Sequence, residues 1–179
     1  MSSWSPGELL TDNGEQQAKS LVDLLVGRPI DKVFASSLTR TQQTAAPLAR
    51  ARHLTVEILD GLQEVEGGDT EGGEGYLEPI TQWADGNLAA AHPGAFDGHH
   101  FLNRFDEAIE QVVERTGTHG TAAVVTHNVC IAVWSSVRAH NINPDFAQKH
   151  PLRNVEIVEL AGDPVSGWRV RSWGGQPVP

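Results

Sequence analysis

Between Thr121 and Thr126 the chain reads Thr-Ala-Ala-Val-Val-Thr, an unbroken apolar and β-branched run that stops at His127-Asn128. A run with no polar face is what a strand covered on both faces of a parallel sheet requires. Parallel strands need long crossovers, usually helical, and the preceding sequence supplies them. Leu10-Thr11-Asp12 opens a stretch in which Ala18, Leu21, Val22 and Leu25 recur at helical spacing, with Thr11 as N-cap and Gly27 then Pro29 as the stop. Ile30 to Ala35 reads as a strand, Ser36-Ser37 as a tight turn, and Leu38 to Arg50 as a second helix. Leu54 to Ile58 alternates apolar and polar residues, the mark of a strand with one buried face.

Six glycines and five acids between Gly61 and Gly75 leave nothing to bury, and this stretch reads as a loop. A short helix is expected around Trp83 between Tyr76 and Gly86, and His-Pro-Gly-Ala-Phe-Asp-Gly-His-His reads as a second loop. Phe101, Phe105, Ala108, Ile109, Val112 and Val113 mark an amphipathic helix that Gly117 and Gly120 end. Val-Cys-Ile-Ala-Val-Trp-Ser-Ser-Val is apolar on more than one side, as in a buried helix. After Asn-Ile-Asn-Pro, Val155 to Leu160 and Trp168 to Trp173 read as two closing strands. No repeat, linker or low-complexity tail interrupts residues 1–179, so one domain is expected. Its class is α/β, a three-layer sandwich with helices on both faces of a mainly parallel sheet. In such sheets ligands bind beyond the carboxyl ends of the strands, where Ser36-Ser37 and Thr126-His127 both fall.

Composition narrows the partners. A net charge of -10 with 13 Lys and Arg, and no basic run, opposes binding to a phosphate backbone, which argues against nucleic acid. An anionic ligand would need a local positive pocket. The single cysteine, Cys130, rules out an intramolecular disulfide and fits a reducing cytoplasm. The first residues have neither a basic start nor an apolar stretch, and no segment approaches the ~18 apolar residues of a span, so no membrane partner is expected. Asp97, His99 and His100, with His92 nearby, are of metal-ligand type. Adjacent histidines point different ways on a helix or a strand, so no metal site is assigned to them.

Two positions carry chemistry. With Ser37 as cap, Arg40 is about the third residue of its helix, where a cation costs ~0.3–1 kcal/mol against the helix dipole unless an anion lies between them. Phosphate would resolve the conflict; an Arg40 side chain turned to water would avoid it. His127 ends a buried strand and begins a helix whose backbone N–H groups suit the same anion, and its imidazole suits hydrogen bonding or proton transfer. The alternative is a histidine that merely caps or bonds its surroundings.

The stretches LTDNGEQQA, FASSLTRTQQTA, LQEVEGGDTEG and VVTHN, in this order and spacing from about Pro6 to Trp173, resemble the motifs after the first of the histidine phosphatase (phosphoglycerate-mutase-like) superfamily. SSLTRTQQTA is the most specific of them. The resemblance implies a phosphate pocket of two histidines, two arginines and a carboxylic acid that transfers phosphoryl groups through a phosphohistidine without a cofactor. It makes Arg40 the second arginine, His127 the second histidine and Glu64 the proton donor to the leaving oxygen. Asn128 would lend its backbone N–H to the phosphate, at a position where the family more often has glycine, and Asn154 would border the site, although it reads equally as a turn residue. The resemblance leaves the substrate open, but the acidic loop would repel a polyphosphate, so a small phosphorylated molecule is expected.

The family's first motif, a strand ending in Arg-His-Gly, supplies the nucleophilic histidine. Nine residues precede Leu10, no Arg-His-Gly occurs, and Arg52-His53 is followed by Leu54 at the start of a strand. The expectation is an N-terminally truncated phosphatase sequence, with phosphoryl mutase chemistry as the other activity the resemblance allows; the alternative is a pseudophosphatase or phosphate-binding module. Without that first strand the sheet should keep an exposed edge, a route to a homo-oligomer.

Overall fold

Thr11 is extended and its hydroxyl accepts the Gly14 N–H at 3.2 Å, which starts helix α1 (Asp12–Leu24) at the expected cap. The computed structural model describes residues 7–70 and 73–179; the start of the resemblance at Pro6 and the acid Glu71 lie outside the described residues. The chain forms two compact units, one of residues up to 63 with 108–127, the other of 64–107 with 128–179.

In the first unit, β1 (Lys32–Ala35), β2 (Val56–Ile58) and β3 (Ala122–Val125) form a parallel sheet in the order β2-β1-β3, with Val33 opposite both Val56 and Ala123. β1 is central, and Val33, Phe34 and Ala35 are fully buried. Helix α2 (Thr39–Ala51) lays Ala45, Leu48 and Ala49 on Val33 and Ala35, and Leu25, Ile30, Leu54 and Val125 complete this cluster. A fully buried Leu or Phe contributes ~1.5–3 kcal/mol. Lys32 of β1 pairs with Glu57 of β2 at 2.7 Å, and Arg115 reaches the other carboxylate oxygen at 3.3 Å. The Lys32 hydrogen bond first, then Arg115, pulls the Glu57 carboxyl below its ordinary value against partial desolvation.

The sequence reading of Thr121 to Thr126 needs one correction. All four residues of β3 are half-buried rather than covered, because β3 is an edge strand that pairs only with β1 among the described residues. Burial on both faces depends on neighbours that a strand's own residues do not specify.

The second unit contains α3 (Leu77–Ala84), the start of α4 (Gly98–Thr116), α5 (Asn128–Arg138), α6 (Pro144–Lys149) and an antiparallel sheet β4 (Val158–Asp163), β5 (Gly167–Trp173), β6 (Gln176–Pro177), in that order. Rings run through it. Trp83 stacks on Phe101 at 5.8 Å, Phe101 meets Phe105 at 5.7 Å, Phe105 meets Trp134 at 5.6 Å, and Trp134 meets Trp168 at 5.6 Å. Asp106 anchors this row by accepting Trp134 Nε1 at 2.8 Å and pairing with Arg138 at 2.5 Å.

Three local readings shift. Strand β4 begins at Val158, not Val155, because Arg153 to Glu156 form a turn in which Val155 takes φ 57°. Helix α6 was unforeseen although Asn143 caps it through the Phe146 N–H at 2.9 Å and Pro144 opens it. The acidic stretch from Gly61 to Gly75 does bury side chains: Leu62 turns inward on a 3-10 turn, and Val65, whose carbonyl accepts the Tyr76 hydroxyl at 3.2 Å, is buried as well. No described helix is long and apolar enough to cross a membrane.

Gly98 opens α4 against the indole of Trp83, and a Cβ there would lie 2.8 Å from two ring atoms. Trp83 is 2% exposed and has no room to retreat. Gly98→Ala is therefore expected to destabilise the protein by ~1–3 kcal/mol in urea denaturation; unchanged stability would show that the indole yields freely.

Candidate functional site

β1 ends in Ala35 and delivers Ser36, fully buried, to the carboxyl edge of the parallel sheet, where its N–H bonds the Val125 carbonyl of β3 at 3.2 Å. β3 ends one residue before Thr126-His127. The two segments read in the sequence as strand ends thus meet at one edge, and their side chains join. Ser36 Oγ lies 3.0 Å from His127 Nε2 and 2.7 Å from Thr41 Oγ1, and Arg40 Nη2 lies 3.1 Å from His127 Nδ1. His127 is 5% exposed; Arg40 is half-buried.

The chemistry of the partners fixes the direction of each bond. A guanidinium only donates, so Nδ1 accepts from Arg40 and the neutral ring carries its proton on Nε2. Nε2–H then donates to Ser36 Oγ, which also receives the Leu38 N–H at 3.3 Å. Ser36 gives its own proton to Thr41 Oγ1, and Thr41 donates onward to the carbonyls of Leu38 at 2.8 Å and Ser36 at 3.0 Å. Every proton in the chain has an acceptor.

The helix cap differs from the one expected. Leu38, not Ser37, is the N-cap of α2, so Arg40 is its second residue. Ser37 is engaged elsewhere: its hydroxyl receives the Gln63 side-chain amide, and its carbonyl receives Gln42 Nε2 at 2.9 Å. The electrostatic point survives, since the first turn of α2 holds no acid to balance Arg40. Gly7, at φ 77°, passes beside it; a Cβ there would lie 3.5 Å from Arg40 Nη1.

Glu64 follows Gln63 in the chain and belongs to the second unit. Its Oε1 accepts the Val65 N–H at 3.0 Å and the Cys130 thiol at 3.3 Å, while its carbonyl accepts Arg104 Nη2 at 3.2 Å. Burial, and after it the Glu64 charge, pushes the Cys130 thiol well above its ordinary value, which keeps it a donor. Asn128 opens α5 and sends its side-chain amide to the Leu152 carbonyl at 2.8 Å. Asn154 is an exposed residue of the turn before β4.

The structure thus joins Arg40 to His127 directly, gives Glu64 and Asn128 separate partners, and leaves Asn154 exposed in its turn. The histidines near Asp97 divide in the same way. Asp97 Oδ1 accepts the His100 N–H at 3.0 Å, His100 stacks on Phe96 at 3.9 Å, and the buried His92 meets the Tyr76 carbonyl at 2.6 Å. No group of three or more His, Cys, Asp or Glu placed to hold a metal occurs among the described residues. Sequence reasoning missed Ser36 and Thr41 as the support of His127, and Cys130 and Arg104 as partners of Glu64. The spacing Ser36…Thr41 was a usable signal; the pairing of Glu64 with Cys130, 66 residues apart, left none.

Comparison with known proteins bears on this arrangement. The family described as the histidine phosphatase superfamily (branch 1) matches residues 4–176. The PE-PGRS family protein PE_PGRS11 of Mycobacterium tuberculosis is 31% identical over 97% of this chain and 33% of its own length. Phosphoserine phosphatase 1 of Hydrogenobacter thermophilus is 31% identical over 67% of this chain and 59% of its own. The chain therefore spans about a third and under two thirds of these relatives. Among solved structures, a mycobacterial glucosyl-3-phosphoglycerate phosphatase with inorganic phosphate superposes with a TM-score of 0.75 at 20% identity, covering 93% of this chain and 87% of that one. The alpha-ribazole phosphatase of Shigella flexneri gives 0.69 at 20% identity, covering 98% and 90%. These likenesses show a shared phosphoglycerate-mutase-like fold.

The hydrogen-bond directions are testable. Histidine 15N spectra should show neutral His127 as the Nε2–H tautomer, and Ser36→Ala, which strands that buried donor, should cost ~1–3 kcal/mol in chemical denaturation. A dominant Nδ1–H tautomer in the unsubstituted protein would contradict the assignment.

Proposed function

Because the chain belongs to the histidine phosphatase superfamily, we propose that it serves phosphomonoester hydrolysis on a small phosphorylated substrate in a reducing cytoplasm, with Arg40 and His127 as the half of the phosphate pocket it carries. The contact of Arg40 Nη2 with His127 Nδ1 at 3.1 Å is the observation that supports this most directly. Two groups suited to anions face each other, and a phosphoryl oxygen between them accepts from Arg40 and, once His127 gains a proton, from Nδ1. Ser36 accepts Nε2–H in either state, so the ring need not turn when its charge changes. In this proposal the Asn128 N–H adds a donor, Asn154 borders the site, and Glu64 supplies the proton that the leaving oxygen takes as the P–O bond breaks.

The nucleophile of this proposal is a histidine of an Arg-His-Gly segment encoded upstream of Met1, which forms an N–P bond that water then breaks. Reading the codons before Met1 checks it: an in-frame Arg-His-Gly is expected, and the longer chain should form an acid-labile phosphohistidine. A second reading, a phosphate-binding pseudophosphatase, draws on the fate of Arg52-His53, the one Arg-His pair in the sequence. It stands at the far end of α2, about 18 Å along the axis from Arg40, and Arg52 is spent on the Leu25 carbonyl at 2.5 Å. For the chain without that upstream strand we place homo-oligomer contact at the edge of β3; a monomer at all concentrations in sedimentation would reject that part.

Both readings require anion binding by the 179-residue chain. Phosphate at a hundred times its Kd should stabilise it by about 2.7 kcal/mol, read as a rise in Tm. Arg40→Ala and His127→Ala should each weaken binding roughly tenfold or more and reduce that rise. An undiminished phosphate effect in Arg40→Ala would sink the proposal.

A further inference from the structure

Glu64 is held more closely than an acid in a glycine-rich acidic stretch needs to be. Its Oε1 is fixed by the Val65 N–H at 3.0 Å and faces the Cys130 sulfur at 3.3 Å, and Arg104 clamps its carbonyl at 3.2 Å. Cys130 is fully buried in the first turn of α5, and it is the one cysteine of the chain. A buried apolar residue of similar size would fill that space without addressing the carboxyl. The thiol does address it, and as a protonated sulfur it acts there as donor.

We propose that Cys130 is a positioning residue for Glu64: its S–H holds the carboxyl group in one orientation and favours the ionised form, so that the thiol sets the pH at which Glu64 takes up a proton. Hydrogen bonding to the charged form of an acid favours that form, and the interaction is reciprocal, since the Glu64 charge raises the Cys130 thiol in turn. Arg104 holds the Glu64 backbone carbonyl, its charge draws the Cys130 thiol downward against the larger effect of burial, and its guanidinium is itself braced over the Phe101 ring at 5.7 Å. Among the titratable groups nearby, Glu66, Asp97 and His100 line with Arg104 a small cavity of about 10 Å³, room for one water, and the Tyr76 hydroxyl donates to the Val65 carbonyl at 3.2 Å. The inference bears on catalysis only if Glu64 is the proton donor of the reading above; the bond itself is independent of that role.

Two measurements on the 179-residue protein test it. A chain with one thiol has one S–H stretching band, and infrared spectra should place it at lower frequency in the unsubstituted protein than in Glu64→Gln, with an upward move as pH falls through the Glu64 titration. Carbon-13 titration of labelled glutamate, with the Glu64 signal assigned from Glu64→Gln, should show the midpoint rising by about half a unit to one unit in Cys130→Ala and returning in Cys130→Ser, which restores a donor. A core-filling role predicts instead an S–H band indifferent to pH and to Glu64→Gln, and a midpoint unchanged in Cys130→Ala; either result overturns the proposal. The band needs no Cys130 variant, so a poorly folding substitution does not silence the test. Failure of phosphate binding at Arg40 would leave both readouts standing and so is distinguishable from failure here.

Discussion

A serine hydroxyl has one proton to give, and at Ser36 that limit organises the edge of the parallel sheet. Ser36 Oγ is buried among a histidine Nε2, a threonine hydroxyl and a backbone N–H. Arg40 on the far side of the ring can only donate, so His127 must present a bare Nδ1 to it and send its proton towards Ser36. Ser36 passes its own to Thr41, and Thr41 disposes of the last one on backbone carbonyls. Because the sequence of donors is closed, the ring of His127 has one low-energy orientation, and the face it turns to Arg40 is decided by a serine on its other side.

Electrostatics at this edge runs against the rest of the chain. The protein carries a net charge of -10, yet the first turn of α2 holds an arginine and no acid, and a histidine is its neighbour. An arginine in that first turn runs against the helix dipole, and the His127 ring is the partner that the structure gives it. At Glu64 the balance is reversed. Two donors, the Val65 N–H and the Cys130 thiol, converge on one oxygen of an acid in a glycine-rich stretch, whereas Glu66, two residues on, lines a small cavity.

What was legible in the sequence was local. Thr11 as a cap, the strand-turn-helix through Ser36-Ser37, the helix around Trp83 and His127 at a strand end follow from a few adjacent residues, and all of them stand in the structure. The pairing of His127 with Ser36 joins residues 91 apart, and it comes from the register of β1 against β3 rather than from any nearby pattern. The half-burial of β3 was misread for the same reason, since an apolar run records what a strand prefers and not how many neighbours it has. Leu62 and Val65 were lost inside an excess of glycine and charge, because composition over fifteen residues hides two apolar side chains that a single tight turn is enough to bury.

The register of the parallel sheet has a consequence for how the chain is made. Lys32 of β1 pairs with Ala122 of β3, so the strand at the centre of the first unit waits for a partner 90 residues downstream. At ~5–20 residues per second of synthesis, β1 stands without that neighbour for several seconds after it is made, with α2 and β2 as its local cover. The residues that will orient His127 therefore exist before the histidine does. Ser36 and Arg40 are laid down early, on a strand and helix formed by local contacts, and the imidazole arrives last, at the end of β3, into a set of partners already in place.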